Sequence, residues 1–359
     1  MNNEISEKVR RLSSDEFLDY YTELIGKKLE DYSLIIAEEG KSYHTFIGEA
    51  AKKMGELLLR KGKRIASCST LLTYQGYADG VDEGILSVCL AIELYRHSIL
   101  VHDDLVDMDH FRRGGKAFHK LFSDEFNERF GEGTAVFYGN ILFSESLMIL
   151  LKCGFERNRL LKAARLLSKG YREVNESQVL DLLFEYKEPT LTEWEVMASK
   201  RAASLFKVNM LTGAILGGAS EKELLLIEKG ARQIGLCFDI QDDIIGTFAS
   251  EEQYGRPTGG DILLGKKPLH IVYAYQLSPA SERNELRNLL TRKELGDQQI
   301  ERAKDIVRRC GALEKAKQRI EEHVEKAVEI LDKTSMNDYS KSFFTYLVNF
   351  ISESLDWYR

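Results

Sequence analysis

Asp103, Asp104 and Asp107 place three carboxylates at i, i+1 and i+4 of an apolar, helix-patterned stretch. Asp242 and Asp243 repeat the theme far downstream, within Gln241-Asp242-Asp243-Ile244-Ile245-Gly246. Carboxylates at this spacing crowd one side of a helix, and like charges repel unless something positive lies between them. A divalent metal is the simplest such partner, since hard cations such as Mg²⁺ bind through a few carboxylates plus the phosphates of a substrate. Each acidic stretch is followed by a basic one: Arg112-Arg113-Gly114-Gly115-Lys116 after the first, and Gly255-Arg256-Pro257, Asp261 and Gly265-Lys266-Lys267 after the second. Acid followed by base, twice, points to a metal-bridged diphosphate.

Each feature also has a plainer reading. A solvated acidic helix face would explain the aspartates, but apolar residues surround them at Ile99-Leu100-Val101, Leu105-Val106 and Ile244-Ile245. A buried, uncompensated carboxylate cluster is costly, which favours a bound cation. Arg112 and Arg113 could cap a helix C-terminus, where cations are favoured; the glycines after them, which let backbone approach a phosphate closely, favour anion binding. Lys63 and Arg64 alone read as a solvated basic turn. His102 and His119 are lone histidines without a partner at metal-ligand spacing, so structural roles are the default.

The elements that must carry these residues are helical. Four prolines in 359 residues and long 3.6-residue apolar periodicity predict an all-α protein. Helices are expected near residues 15–38, 43–60, 64–78, 84–107, 133–153, 157–174, 190–217, 221–247, 267–276, 282–292, 297–309, 312–333 and 338–356. Loops rich in glycine are expected at 109–120 and 249–266. No linker composition divides the chain, so 1–359 reads as one domain, with 1–14 a peripheral N-terminal segment and 278–359 charged surface helices.

With 43% hydrophobic and 30% charged residues the composition is that of an ordinary soluble protein. A net charge of −7 argues against nucleic acid as the main partner. Five cysteines without a CxxC pair suit a reduced, cytoplasmic chain, and the N-terminus lacks a signal-peptide pattern. The apolar runs 85–101 and 205–219 are interrupted by Glu93 and Arg96 and by Lys207, so buried helices are expected there and no integral membrane segment.

From about Gly62 to about Lys267 the chain resembles the trans-isoprenyl diphosphate synthases. Asp103, Asp104 and Asp107 match that family's first DDxxD motif, Arg112-Arg113 its following arginine pair and His119 its histidine. Ser177-Gln178-Val179-Leu180-Asp181-Leu182 is similar to its GQxxDL element, Phe238 with Asp242-Asp243 to FQxxDD, and Gly255 to Lys266 to its glycine-rich tail. The chain departs from the pattern at Ala66, where a second basic residue is usual, at Arg96 for histidine, at Arg201-Ala202 for lysine-threonine, at Asp239 for glutamine and at Gly246 for the last aspartate.

The resemblance implies a single large helical bundle of the isoprenoid synthase type with a central cavity, and a homodimer by analogy. It implies a Mg²⁺-dependent prenyltransferase, using two or three ions with Mn²⁺ as an alternative, that condenses isopentenyl diphosphate with an allylic diphosphate. The metal residues it implies are Asp103, Asp107, Asp242 and Asp243; the catalytic ones are Asp103, Asp104, Asp107, Arg112 and Lys266. Substrate binding falls to Lys63, Arg64, Arg96, Arg113, Gln178, Arg201, Phe238, Asp239 and Arg256, with Asp239 also placed to extend the metal face that Gly246 shortens. Product length would be set by side chains below the first motif, at Ser98 and Ile99 and then Tyr95, about 5.4 Å per helical turn. Phe137 and Tyr138 are expected to face that passage. Geranylgeranyl diphosphate is the expected product, with farnesyl next. A class I terpene cyclase and a non-catalytic subunit of a hetero-oligomeric synthase are the alternatives; the second motif and the intact first motif argue against them respectively.

Overall fold

The computed structural model describes residues 14–250, 252, 258–292 and 295–353. The helices run α1 (Ser14–Tyr43), α2 (Thr45–Leu58), α3 (Ile65–Gln75), α4 (Glu83–Val106), α5 (Phe118–Ser123), α6 (Glu128–Lys152), α7 (Arg157–Tyr186) and α8 (Leu191–Ala202). After a π-helical turn at Ala203–Lys207 follow α9 (Val208–Gly217), α10 (Glu221–Phe248), α11 (Gly260–Leu264), α12 (Leu269–Leu277), α13 (Ala280–Leu290), α14 (Asp297–Arg309), α15 (Ala312–Asp332) and α16 (Asp338–Glu353). Between α4 and α5, β1 (Phe111–Arg112) and β2 (Gly115–Lys116) pair antiparallel, the one sheet among the described residues. The expected peripheral segment 1–14 lies outside the described residues except where α1 begins.

Local sequence sets the helix starts. Asp82, Asn127 and Ser220 accept from the backbone N–H of Ile85, Phe130 and Glu223, capping α4, α6 and α10. α4 is buried between α3 and α6, α10 packs along α15 and α8, and α3 lies against α9. One apolar cluster runs through these contacts from Phe17 to Ile351. Its fully buried rings, among them Tyr95, Phe184, Phe206 and Trp194, fix the walls around the aspartate-bearing ends of α4 and α10.

Four sequence expectations need correction. α7 continues past 174 to Tyr186, because Asn175 and Ser177 hydrogen-bond back to the carbonyls of Tyr171 and Val174, both at 2.7 Å, and do not interrupt the helix. The stretch 190–217 is not one helix but is broken by the π-turn at 203–207. The loop expected at 109–120 holds the hairpin and the start of α5. The C-terminal helices are not confined to the surface: Phe343, Phe344, Leu347, Val348 and Ile351 of α16 are core residues, and the Phe343 ring lies 5.1 Å from that of Phe17.

Candidate active site

α4, α7 and α10 bring the two acidic clusters to opposite sides of one cavity of about 470 Å³. Asp103, Asp107, Asp242 and Asp243 line it, as do Lys63, Arg64, Arg96, Arg112, Arg113, Arg201 and Lys266. Gln178, Phe238, Asp239 and Ile99 complete the predicted residues found there. Arg256 lies outside the described residues. The size is that of a small-molecule site, and the walls combine apolar surface with a few convergent charges.

Asp104 is placed differently from its neighbours. One position beyond Asp103 turns it about 100° round the helix, away from the cavity and towards the hairpin. There it is almost fully buried, and Arg112 Nε donates to its Oδ1 at 2.6 Å. Burial, outweighing Arg112, pushes its carboxyl up to about 6. Asp104 thus positions Arg112, whose Nη2 also reaches Asp103 at 3.5 Å.

The hairpin carries Arg113 at a two-residue turn in which both Arg113 (φ 50°) and Gly114 (φ 76°) are left-handed. A two-residue loop of this kind is the I′ turn that matches strand twist, and arginine is not a residue that favours it. The strain aims the Arg113 side chain back over Gly62, where a Cβ would sit 2.9 Å from its guanidinium carbon. Arg60 secures the arrangement by donating to the carbonyls of Arg112 and Lys116, each at 2.8 Å. Burial, then Arg96 and Arg64, depress the Arg113 pKa to about 9, so this corner of the cavity favours an arriving anion.

Arg64, also left-handed at φ 48°, is turned partly away from the cavity into a buried pair with Glu93 at 3.1 Å. Ser67 Oγ donates to the same carboxylate at 2.7 Å. Burial raises Glu93, but Arg64, His97, Ser67 and Arg113 more than offset it and hold the carboxyl down at about 2.

Across the cavity, Lys266 Nζ sits 2.7 Å from Asp107 Oδ1 and 3.2 Å from Asp181 Oδ2, and Gln178 donates to Asp103 at 2.7 Å. Burial and Asp103 push Asp107 up, with Lys266 opposing. Arg201 reaches Asp239, Asp243 at 3.3 Å and Asp181 at 3.6 Å. Both Asp239 oxygens are engaged by Arg201, so in this structure Asp239 supports that arginine instead of adding to the metal face. Among the described residues no three acidic or histidine side chains converge as a preformed metal cage. Four hard oxygen donors on facing walls nevertheless suit an ion completed by substrate phosphate.

Below Asp103, Ile99 lines the cavity. Ser98 points away, its hydroxyl bonded to the Tyr95 carbonyl at 2.7 Å. Tyr95 is fully buried one turn lower, beside the stacked rings of Phe143 and Tyr171, whose centroids are 3.9 Å apart. Phe137 and Tyr138 do not face the passage: Phe137 is 68% exposed, and Tyr138 packs on Phe118. Phe143, about one and a half turns further along α6, is the residue that meets Tyr95. His102 and His119 take structural positions, His102 Nε2 lying 3.1 Å from the Val136 carbonyl.

Arg60 and Glu93 carry no signal of their roles in the sequence, and Asp181 stands there without a role. Asp181 was visible as the aspartate of the GQxxDL-like element. The Arg60 contacts join distant segments and leave no local signal.

A sequence model described as Polyprenyl synthetase matches residues 49–307. A short chain isoprenyl diphosphate synthase of Methanothermobacter thermautotrophicus is 32% identical over 83% of this chain and 88% of that protein. A geranylgeranyl diphosphate synthase of Methanosarcina mazei is 30% identical over 76% of this chain and 79% of its own. The crystal structure of a geranylgeranyl pyrophosphate synthase from Corynebacterium glutamicum, complexed with isoprenyl diphosphate and magnesium, superposes with a TM-score of 0.87. At 21% identity, covering 94% of this chain and 99% of that one, it shows the shared fold.

Proposed function

The chain belongs to the polyprenyl synthetase family, and on that premise we propose that it is a short-chain prenyl diphosphate synthase, joining isopentenyl diphosphate to an allylic diphosphate. The observation that carries this reading is the pair of carboxylate walls, Asp103 and Asp107 facing Asp242 and Asp243, with Lys266 and Arg201 between them.

Asp103, Asp107, Asp242 and Asp243 would hold Mg²⁺, two or three ions with Mn²⁺ as an alternative; bound Mg²⁺ neutralises charge on the donor diphosphate as it leaves. Lys266, Arg112 and Arg201 add fixed positive charge on the same side, which stabilises a departing anion more than the bound ester. Gln178 and Asp104 orient Asp103 and Arg112. Arg113, Arg96 and Lys63 bind the acceptor diphosphate, with Arg64 held back by Glu93 as support. Phe238 and Ile99 line the apolar passage that receives the growing chain and keeps water from the allylic cation. Tyr95, behind Ile99, backs the floor. A C20 product fits this reading, with C15 next. The absent second arginine at Ala66 is offset by Arg96 and Arg113, whose guanidiniums crowd the same corner.

Among the described residues two helices, α4 and α6, are long and apolar enough to cross a membrane by length and composition. The α4 window is 72% buried and belongs to the core. α6 shows an apolar outer face at Val136, Phe137, Ile141 and Met148, which we assign to a second copy of the chain in a cytoplasmic homodimer. The deciding assay supplies purified protein with Mg²⁺, isopentenyl diphosphate and dimethylallyl, geranyl or farnesyl diphosphate in turn. Elongated all-trans products support the proposal. Donor consumption without isopentenyl incorporation would point to a cyclase, and no turnover to a non-catalytic subunit.

A further inference from the structure

We propose that Phe350, on the C-terminal helix α16, is a positioning residue for Lys63. The Lys63 ammonium lies over the Phe350 ring, 4.2 Å from its centroid. The ring is itself fixed: it packs on Ile245 and Ala249 together with Ile65 and Phe238, and Tyr346 stacks against it at 5.9 Å. Lys63, Ile65 and Phe238 all line the cavity, so Phe350 forms the layer behind that wall without entering it.

Lysine is a compact charge on a flexible stem and does not hold one direction unaided. Its neighbour Arg113 is fixed by a strained turn and by Gly62. Lys63 receives its constraint from the aromatic face, which attracts an ammonium by its quadrupole. A diphosphate then meets two cations already aimed, with less side-chain entropy left to lose on binding. The contact makes α16, almost three hundred residues away in sequence, part of the acceptor end of the cavity. This inference rests on the assignment of Lys63 to isopentenyl diphosphate.

The test compares Phe350→Leu, Phe350→Trp, Lys63→Met and the Phe350→Leu/Lys63→Met double variant, varying each substrate with the other saturating. Phe350→Leu is expected to raise KM for isopentenyl diphosphate roughly three- to tenfold, the size of a partly desolvated cation–π contact, with kcat and allylic KM within about twofold. Phe350→Trp should keep or lower that KM, and Phe350→Leu should add nothing when Lys63 is already methionine. An unchanged isopentenyl KM overturns the proposal. So does the same increase in the Lys63→Met background, or a parallel rise in both KM values with a lower melting temperature, each of which marks a packing role. A Lys63-dependent shift that falls on the allylic donor supports the positioning and removes the acceptor assignment. Calorimetric binding of isopentenyl diphosphate repeats the comparison without turnover, so it still reads the contact if the chain proves to form no product.

Discussion

Arg201 grips both oxygens of Asp239 in a fork, Nε donating to Oδ1 at 2.7 Å and Nη2 to Oδ2 at 3.1 Å. Both residues replace others usual at these positions, and the geometry explains why they occur together: a planar guanidinium needs a two-point acceptor that a glutamine cannot supply. Arg201→Lys and Asp239→Gln should each lower kcat/KM for the allylic donor about tenfold, the scale of one charge-assisted hydrogen bond. The double substitution should lose less than the product of the two, since contacting residues couple by roughly 0.5–3 kcal/mol. Strictly multiplicative losses in a double-mutant cycle would mean that the fork has no functional weight.

The cavity floor makes a second prediction. Ile99 lines the cavity below Asp103, and Tyr95 stands one turn lower among Phe143 and Tyr171. Ile99→Phe should shorten the product by about one isoprene unit, since a helical turn rises about 5.4 Å. Tyr95→Ala should shift products longer, at a cost in stability of roughly 3–5 kcal/mol for an emptied aromatic site. Chain lengths read by mass spectrometry decide it, and an unchanged distribution in Tyr95→Ala removes Tyr95 from length control.

How much of this was legible follows from the range of each interaction. The helices, the two aspartate motifs and the arginine pair are local patterns, and their periodicity and charge stand in the sequence. The spacing of Asp103, Asp104 and Asp107 could not reveal that Asp104 turns to Arg112, because the helix face that becomes buried depends on where the hairpin docks. Phe137 and Tyr138 were misplaced for a similar reason: on a helix apolar almost all round, periodicity does not say which side meets the core. The grip of Arg201 on Asp239, 38 positions away, and that of Phe350 on Lys63 arise only from tertiary packing.

Glu93 gives a prediction for stability. Its folded pKa is depressed from 4.5 to about 2. A depressed carboxylate adds stability that is fully present above about pH 4.5 and is lost as pH falls towards 2. Glu93→Gln leaves Arg64 buried without a counter-charge and should destabilise the protein by roughly 3–5 kcal/mol at pH 7. The gap between the two proteins, read from urea midpoints at pH 7, 5 and 3.5, should narrow only at the lowest value. A gap independent of pH would show that Glu93 contributes by packing alone.

The outer face of α6 yields a test of assembly. Ile141 is 45% exposed amid other apolar side chains of that helix. A charge there should oppose burial against a second copy, so Ile141→Glu should shift the mass measured by light scattering from dimer towards monomer at micromolar concentration. Wild-type protein that is already monomeric at those concentrations would refute the assignment of this face.

Asp104 and Asp107 are three positions apart and should fail in different ways. Asp107 lines the cavity, where Lys266 bridges it to Asp181. Asp104 instead holds Arg112 from behind. Asp107→Asn should therefore raise the Mg²⁺ concentration for half-maximal rate and lower kcat about 10²- to 10³-fold, comparable to removing one preorganised electrostatic contact. Asp104→Asn keeps the shape but weakens the grip on Arg112, so kcat should fall about tenfold with the Mg²⁺ requirement unchanged. Lys266→Ala should also lower kcat, because the charge it supplies stays with the leaving group when the ion is bound. Mg²⁺ titrations of the three variants separate these roles, and equal shifts for Asp104→Asn and Asp107→Asn would mean that both aspartates bind metal.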